Sequence, residues 1–244
     1  MHEKIQGIVL RSVKYGDAGL IVDLFTDSYG RRSFMTSVSR GKSSKGVFWA
    51  PLNMVEFDAD VHDSKKLPRP QDVRIYNVYR NLRFSLLKSS LVMFIADFLN
   101  SALKSEECNI PLYKYIEVSL KWLDEAPENT KSNSLANFHL VFLMRIMRFL
   151  GIYPNLEGHS ESYYFDMCSS CYCASKPYHS HFINPSEASF LPKLFRMNYE
   201  TMRFFRFTRA QRQYILEVLN IYYRIHVPSF PELKSLQILR ELFD

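Results

Sequence analysis

The chain has 244 residues, a formal net charge of +6 and a hydrophobic share of 47%. That length exceeds one minimal domain and falls short of three, and the apolar share supports a real core, which argues against a disordered or low-complexity chain. No run reaches the ~18 apolar residues of a membrane span, and the start, Met1-His2-Glu3-Lys4, has no apolar signal core, so a cytosolic protein is expected, its cysteines reduced thiols or metal ligands.

Residues 1 to 80 read as all-β structure. Ile8-Val9-Leu10 is a short apolar run, followed by the polar turn Lys14 to Gly19 and a second apolar run, Leu20 to Phe25. The turn Thr26 to Gly30 then leads into Arg31 to Val38. Runs of this length, rich in Val, Ile, Phe and Thr and bounded by Gly and Asp, predict three strands joined by hairpins. Met54 to Val61 alternates in part, as a half-buried strand does, and Val73 to Val78 supplies a fifth strand. Five short strands fit a small closed barrel of the oligonucleotide/oligosaccharide-binding (OB) type, and a small sandwich shows the same pattern.

Near Asn81 the period changes to that of helices, giving an α+β chain with a mainly helical part over 81–244. Leu86, Leu91, Phe94, Ile95, Phe98 and Leu99 recur at helical spacing. A second helix starts around Pro111 and stops before Pro127. Ser134 is placed to cap a third, which runs to Leu150 and is apolar nearly all round. Residues 152–183 read as an irregular insert. Asn184-Pro185-Ser186-Glu187 has the order cap, Pro, acid, and Pro192 limits that helix to about two turns. Thr208-Arg209-Ala210-Gln211 is a capping-box pattern opening a long helix that ends before Pro228, and Leu236 to Phe243 suggest a short closing helix.

Two features carry candidate chemistry. The first is a basic, aromatic-rich stretch. Residues 31–46 hold Arg31, Arg32, Arg40, Lys42 and Lys45 without one acid, and Arg11 and Lys14 lie near them in the predicted hairpin. Tyr15, Tyr29, Phe34, Phe48 and Trp49 interleave with these charges. A basic groove lined with aromatics holds single strands by ion pairs to phosphate and stacking on bases. The same aromatics are also what fills a barrel. The second feature is Cys168-x-x-Cys171-x-Cys173 with His179 and His181, five candidate ligands whose crowded spacing departs from a standard zinc ribbon. Small apolar thiols and loop histidines read the same way, and no metal is assigned. No nucleophile elbow, Gly-rich phosphate loop or H-E-x-x-H motif is present, so no catalytic residue and no cofactor is expected.

The stretch Gly7 to Arg32 resembles the start of the bacterial recombination mediator family RecO. The pattern is carried by Gly7, Val9, Leu10, Tyr15, Gly16, Asp17, Leu24, Thr26 and Gly30, with the basic segment Ser39 to Lys45 after it. The resemblance implies an OB-fold domain over 1–80 and a helical domain over 81–244, with 152–183 in place of a zinc-binding segment. It also implies a non-enzymatic mediator that binds single- and double-stranded DNA, anneals complementary strands and works in DNA repair and recombination. Expected partners are the acidic tail of single-strand-binding protein, RecR and, indirectly, RecA. Carried onto this chain, the DNA contacts are Arg11, Lys14, Arg31, Arg32, Arg40, Lys42 and Lys45. Arg145, Arg148, Arg203 and Arg206 are charge-based candidates for the tail. Many members bind zinc through two C-x-x-C pairs, and this chain lacks the second pair. Packing of Tyr163, Tyr164, Phe165 and Phe182 would then hold the insert. A sequence-tolerant RNA-binding adaptor on the same barrel is the alternative.

Overall fold

A computed structural model of the chain describes residues 2–17, 19–37, 45–61, 66–104, 107–128, 134–237 and 239. Two compact units emerge: Met1–Ala126 with Leu233–Leu242, and Pro127–Glu232 with the last two residues.

The first unit is built on a five-stranded antiparallel sheet of order β3-β2-β1-β4-β5: β1 Glu3–Tyr15, β2 Gly19–Thr26, β3 Gly30–Ser37, β4 Met54–Ala59 and β5 Gln71–Asn77. β1 is long enough to serve two partners. Its first half pairs with β4 and its second with β2, and a bulge between Val9 and Arg11 bends it between the two. The Met35 amide donates to the Pro68 carbonyl at 2.9 Å, joining the β3 edge to the segment that enters β5. The result is an OB-like barrel, as the strand pattern predicts. Its interior is filled by Ile5, Val9, Val22, Leu24, Phe34, Trp49, Val55 and Phe57. Gly30 closes the β2–β3 turn at φ +63°, a left-handed conformation that costs glycine little, and the Thr26 hydroxyl donates to the Gly30 carbonyl at 2.8 Å.

β1 over residues 7–10 and β2 over residues 22–26 are buried on both faces. Ile8, Leu10 and Phe25 point away from the barrel interior and are still buried. Helices α1 (Leu86–Ala102) and α2 (Ile110–Glu125) belong to this same unit, and Phe25 meets Tyr113 of α2 with ring centroids 6.2 Å apart. Ser85 caps α1 and Asn109 caps α2, each accepting a backbone N–H three residues on. The closing segment returns to α1, where Asp97 accepts from the Ser235 amide at 3.0 Å and its hydroxyl at 2.8 Å.

The second unit holds α3 (Phe138–Phe149) and α6 (Arg209–His226), linked by the Tyr223 hydroxyl donating to the Leu143 carbonyl at 2.7 Å. The capping box of α6 is present, with Thr208 and Gln211 reciprocally bonded. The start of α3 departs from the sequence reading. Ser134–Asn137 forms a 3-10 turn, and Asn137 is the cap residue. The Asn137 amide is committed elsewhere, donating to the carbonyls of Met202 and Phe205. The insert is also more regular than its composition predicts. β6 (Tyr164–Asp166), β7 (Cys171–Cys173) and β8 (Phe182–Ile183) make a small sheet of order β7-β6-β8. Phe165 anchors one face against Tyr172, edge to face at 5.2 Å. The helical turns α4 (Pro185–Ala188) and α5 (Leu191–Leu194) are each one turn long, with a proline in the first turn of each.

Candidate nucleic-acid interface

Asp23 is the one acid in the apolar run Leu20 to Phe25, and a buried carboxylate there requires partners. The register supplies them. Arg11, Asp23 and Ser33 face one another across β1, β2 and β3, and Arg31 is the next residue of β3 on that face. Asp23 Oδ2 accepts from Arg11 Nε at 2.7 Å and Arg31 Nη2 at 2.9 Å, and Oδ1 accepts from Ser33 Oγ at 2.5 Å. Burial pushes the Asp23 carboxyl up, but the bonds from Ser33, Arg11 and Arg31 outweigh it and hold the group below its ordinary value. Arg31 makes two further bonds, to the Asn100 carbonyl at 2.7 Å and to Asn100 Oδ1 at 2.9 Å, and its side chain is only 13% exposed. It pins the sheet to α1. Arg11 differs, since 54% of its side chain is exposed.

The remaining candidates occupy the other face of the sheet. Arg32 pairs with Leu24 and shares its face with Phe34, and Lys14 pairs with Leu20, which pairs in turn with Thr36. Both side chains are exposed. They stand at opposite ends of β2, about 13 Å apart along the strand. Arg40 and Lys42 lie outside the described residues, as does the side chain of Lys45. The expected single grip is therefore spread over two faces. Arg11 and Arg31 converge on Asp23, and Lys14 and Arg32 point from the barrel side. Sequence reasoning missed Asp23 and Asn100. An acid inside an apolar strand was the available signal for Asp23.

A second carboxylate network pairs two further cations, Lys4 and Arg74, whose side chains stay more than half exposed. Glu56 holds Lys4 at 3.0 Å, accepts from Gln6 at 3.2 Å and pairs with Arg74. Burial raises the Glu56 carboxyl, but the bonds from Gln6, Lys4 and Arg74 bring it down to about 2.

In the second unit, a cavity of about 620 Å³ opens between α4, α5 and α6. Phe165, Phe190, Phe204, Phe207, Tyr214 and Leu219 supply apolar wall, and the charged lining residues are Glu187, Lys193 and Arg206. Glu187 is engaged by the Tyr214 hydroxyl at 2.6 Å. Of the charge-based candidates, Arg206 lines this cavity, and Arg203 stacks on Phe204 at 4.8 Å. Arg145 donates to the Met197 carbonyl at 3.2 Å, and Arg148 donates to the Tyr153 hydroxyl while lying 4.3 Å over its ring.

Two family models cover almost the whole chain: Recombination protein O N terminal over residues 1–79, and Recombination protein O C terminal over 83–237. The chain belongs to the RecO family. It is 46% identical to the DNA repair protein RecO of Phocaeicola vulgatus over 245 residues, covering all of both chains. It is 43% identical to that of Bacteroides fragilis over 247 residues, again all of both chains, and 32% identical to that of Porphyromonas gingivalis over 245 residues, 98% of each. A RecO protein is a DNA repair protein, and this chain has the OB-like sheet followed by helices expected of one. Among the described residues, no helix is long and apolar enough to cross a membrane.

Many RecO proteins bind zinc in the insert through two C-x-x-C pairs, and this chain has Cys168-x-x-Cys171-x-Cys173 without the second pair. Asp166, Cys168 and His179 bring one ligand atom each within 4.8 Å of one another. The Asp166 and His179 atoms among them are already engaged. Asp166 accepts from the Cys168 amide at 2.8 Å and from the Ser169 hydroxyl at 2.7 Å. The His181 amide donates to His179 Nδ1 at 3.2 Å, which places the neutral ring's proton on Nε2, 3.3 Å from Asp166. A metal on Nε2 would need the opposite tautomer. Burial and then the Asp166 charge push the Cys168 and Cys173 thiols up, and the trio offers a single thiol beside one imidazole and one carboxylate. The trio is a hydrogen-bonded cluster closing the β6–β7 turn and does not fit a tetrahedral thiolate site.

Proposed function

We propose that this chain is a non-enzymatic, cytoplasmic mediator of DNA repair and homologous recombination. It binds single- and double-stranded DNA through the barrel and anneals complementary strands. With RecR it helps RecA load onto DNA coated with single-strand-binding protein. The observation that carries the reading is the OB-like barrel with exposed Lys14 and Arg32 and half-exposed Arg11, in a chain of the RecO family whose sequence continues from β3 into the basic stretch Ser39 to Lys45. Cations at these positions neutralise phosphates and release counterions, which gives affinity without sequence preference.

Docking of the acidic tail of single-strand-binding protein is assigned to the second unit. The cavity there offers aromatic wall for an apolar peptide end, with Lys193 and Arg206 for its carboxylates. Arg206→Glu places a like charge beside the peptide, and peptide binding measured by fluorescence anisotropy should fall by at least about tenfold while binding to bare DNA is retained. Unchanged peptide affinity would remove the tail from this cavity.

A further inference from the structure

The connection between β5 and α1 is clamped far more tightly than a surface turn requires. Asn81–Phe84 is a β-turn closed by the Phe84 amide donating to the Asn81 carbonyl at 3.1 Å, with Leu82 buried beneath it. The Asp124 carboxylate accepts the backbone N–H groups of Arg80, Asn81 and Leu82 at 2.9, 2.8 and 2.7 Å. Buried Lys88 donates to the carbonyls of Asp124 at 2.8 Å and Ala126 at 2.7 Å, and the Tyr79 hydroxyl donates to the Leu52 carbonyl at 2.7 Å. Burying a carboxylate and an ammonium is unfavourable unless both are hydrogen-bonded, and here Asp124 accepts three N–H groups and Lys88 reaches two carbonyls. This frame holds the Phe84 ring out into solvent, 87% exposed.

The sequence about the turn is basic, and the acid that meets it, Asp124, is buried and taken up by the turn's backbone N–H groups. Residues 73–96 contain Arg74, Arg80, Arg83 and Lys88 and no acid. Lys88 is buried, Arg74 is exposed and paired with Glu56, and Arg80 and Arg83 are exposed on either side of the turn. The turn is also tied to the 3-10 turn that follows the basic stretch in sequence. Arg83 Nη2 donates to Asn53 Oδ1, and Asn53 Nδ2 donates to the Val47 carbonyl at 2.8 Å and the Phe48 carbonyl at 3.1 Å. Val47 and Phe48 belong to the 3-10 turn Lys45–Trp49, at the end of the acid-free basic stretch 31–46. The two acid-free stretches meet at Asn53.

We propose that Arg80, Arg83 and Phe84 form a base-stacking contact for single-stranded DNA, extending the interface from the barrel strands onto the β5–α1 turn. The proposal rests on the DNA-binding reading and adds a strand preference to it. An unpaired base stacks on the Phe84 ring while the two guanidinium groups take neighbouring phosphates. Bases in a duplex are already stacked on each other and cannot use the ring. The clamp keeps the ring oriented before the strand arrives, so little order is lost on binding.

The test compares the full chain with Phe84→Ala and Phe84→Trp, using an oligo-dT strand and a blunt duplex of equal length as probes. Phe84→Ala should weaken oligo-dT binding by at least about fivefold and leave duplex binding within about twofold. Phe84→Trp should keep oligo-dT affinity and show tryptophan quenching on adding oligo-dT, beyond that of the unmodified chain, and none with duplex. An equal effect of Phe84→Ala on both probes, or on neither, overturns the proposal and leaves the ring to a protein partner. A chain that binds neither probe overturns the DNA-binding reading as a whole, and this contact with it.

Discussion

Asp23→Asn separates what Asp23 does for the fold from what it does to Arg11. The substitution keeps an oxygen for the Ser33 hydroxyl and removes the charge that holds two guanidinium groups. Arg31 is 13% exposed and loses a charge-assisted bond, worth about 1.5–3 kcal/mol, while keeping its two bonds to Asn100. Arg11 is half in solvent, so its lost pairing is screened and costs no more than about 1 kcal/mol. A loss of about 2–3 kcal/mol in the first unit is expected, a fall of about 1 M in the urea midpoint. DNA affinity should move the other way. In the unmodified chain Asp23 offsets the Arg11 charge; freed from it, Arg11 engages phosphate fully, and the log–log salt slope for duplex DNA steepens by up to about 0.9. The stability difference has a defined pH window. Asp23 is lowered in the folded state, so its contribution is present above the unfolded carboxylate value of about 3.9 and is lost as pH falls through the lower folded value. Variant and unmodified chain should therefore converge only in strong acid. Lost stability with an unchanged salt slope would refute Arg11 as a phosphate contact. Unchanged stability would refute the network.

Asp124→Ala leaves three backbone N–H groups without their acceptor; water replaces it at exposed Arg80 and Asn81 but not at buried Leu82, so a loss of about 2–4 kcal/mol is expected in chemical denaturation. Replacing Arg40, Lys42 and Lys45 together with Ala should flatten the salt dependence of DNA binding by up to about 3 in log–log slope, and an unchanged slope would remove that segment from the interface. His139 is fully buried, and burial, then the nearby Arg212 charge, depress it to about 3. The unfolded chain takes up that proton near pH 6.5 and the folded chain does not, so stability drains away as pH falls from there toward 3. His139→Gln should shallow that decline in pH-dependent denaturation of the second unit.

Local signals placed most of the fold. The turns at Gly16 and Gly30, the Thr208–Gln211 capping box and the change to helical spacing after Asn81 each act over a few residues, so sequence alone carries them. What sequence reading passed over was long-range pairing. The run Gly7–Leu10 is unbroken, and Leu20–Phe25 is apolar but for Asp23, rather than alternating, the mark of a strand buried on both faces, and that cover is supplied by α1 and α2. Arg31 reads as a phosphate ligand until Asn100, 69 residues away, is seen to hold it. The small sheet of the insert was hidden for a different reason. Its strands are two or three residues long, too short to show a period. Phe84 offered no pattern at all, since only the structure shows a clamped turn beneath an exposed ring.

The most direct measurement is the annealing of two complementary DNA strands coated with single-strand-binding protein, with and without this chain. The account predicts faster annealing, and loss of that acceleration when the acidic tail of the coating protein is removed. Tight binding to bare strands without any acceleration on coated ones would contradict it, leaving a nucleic-acid-binding barrel with no mediator role.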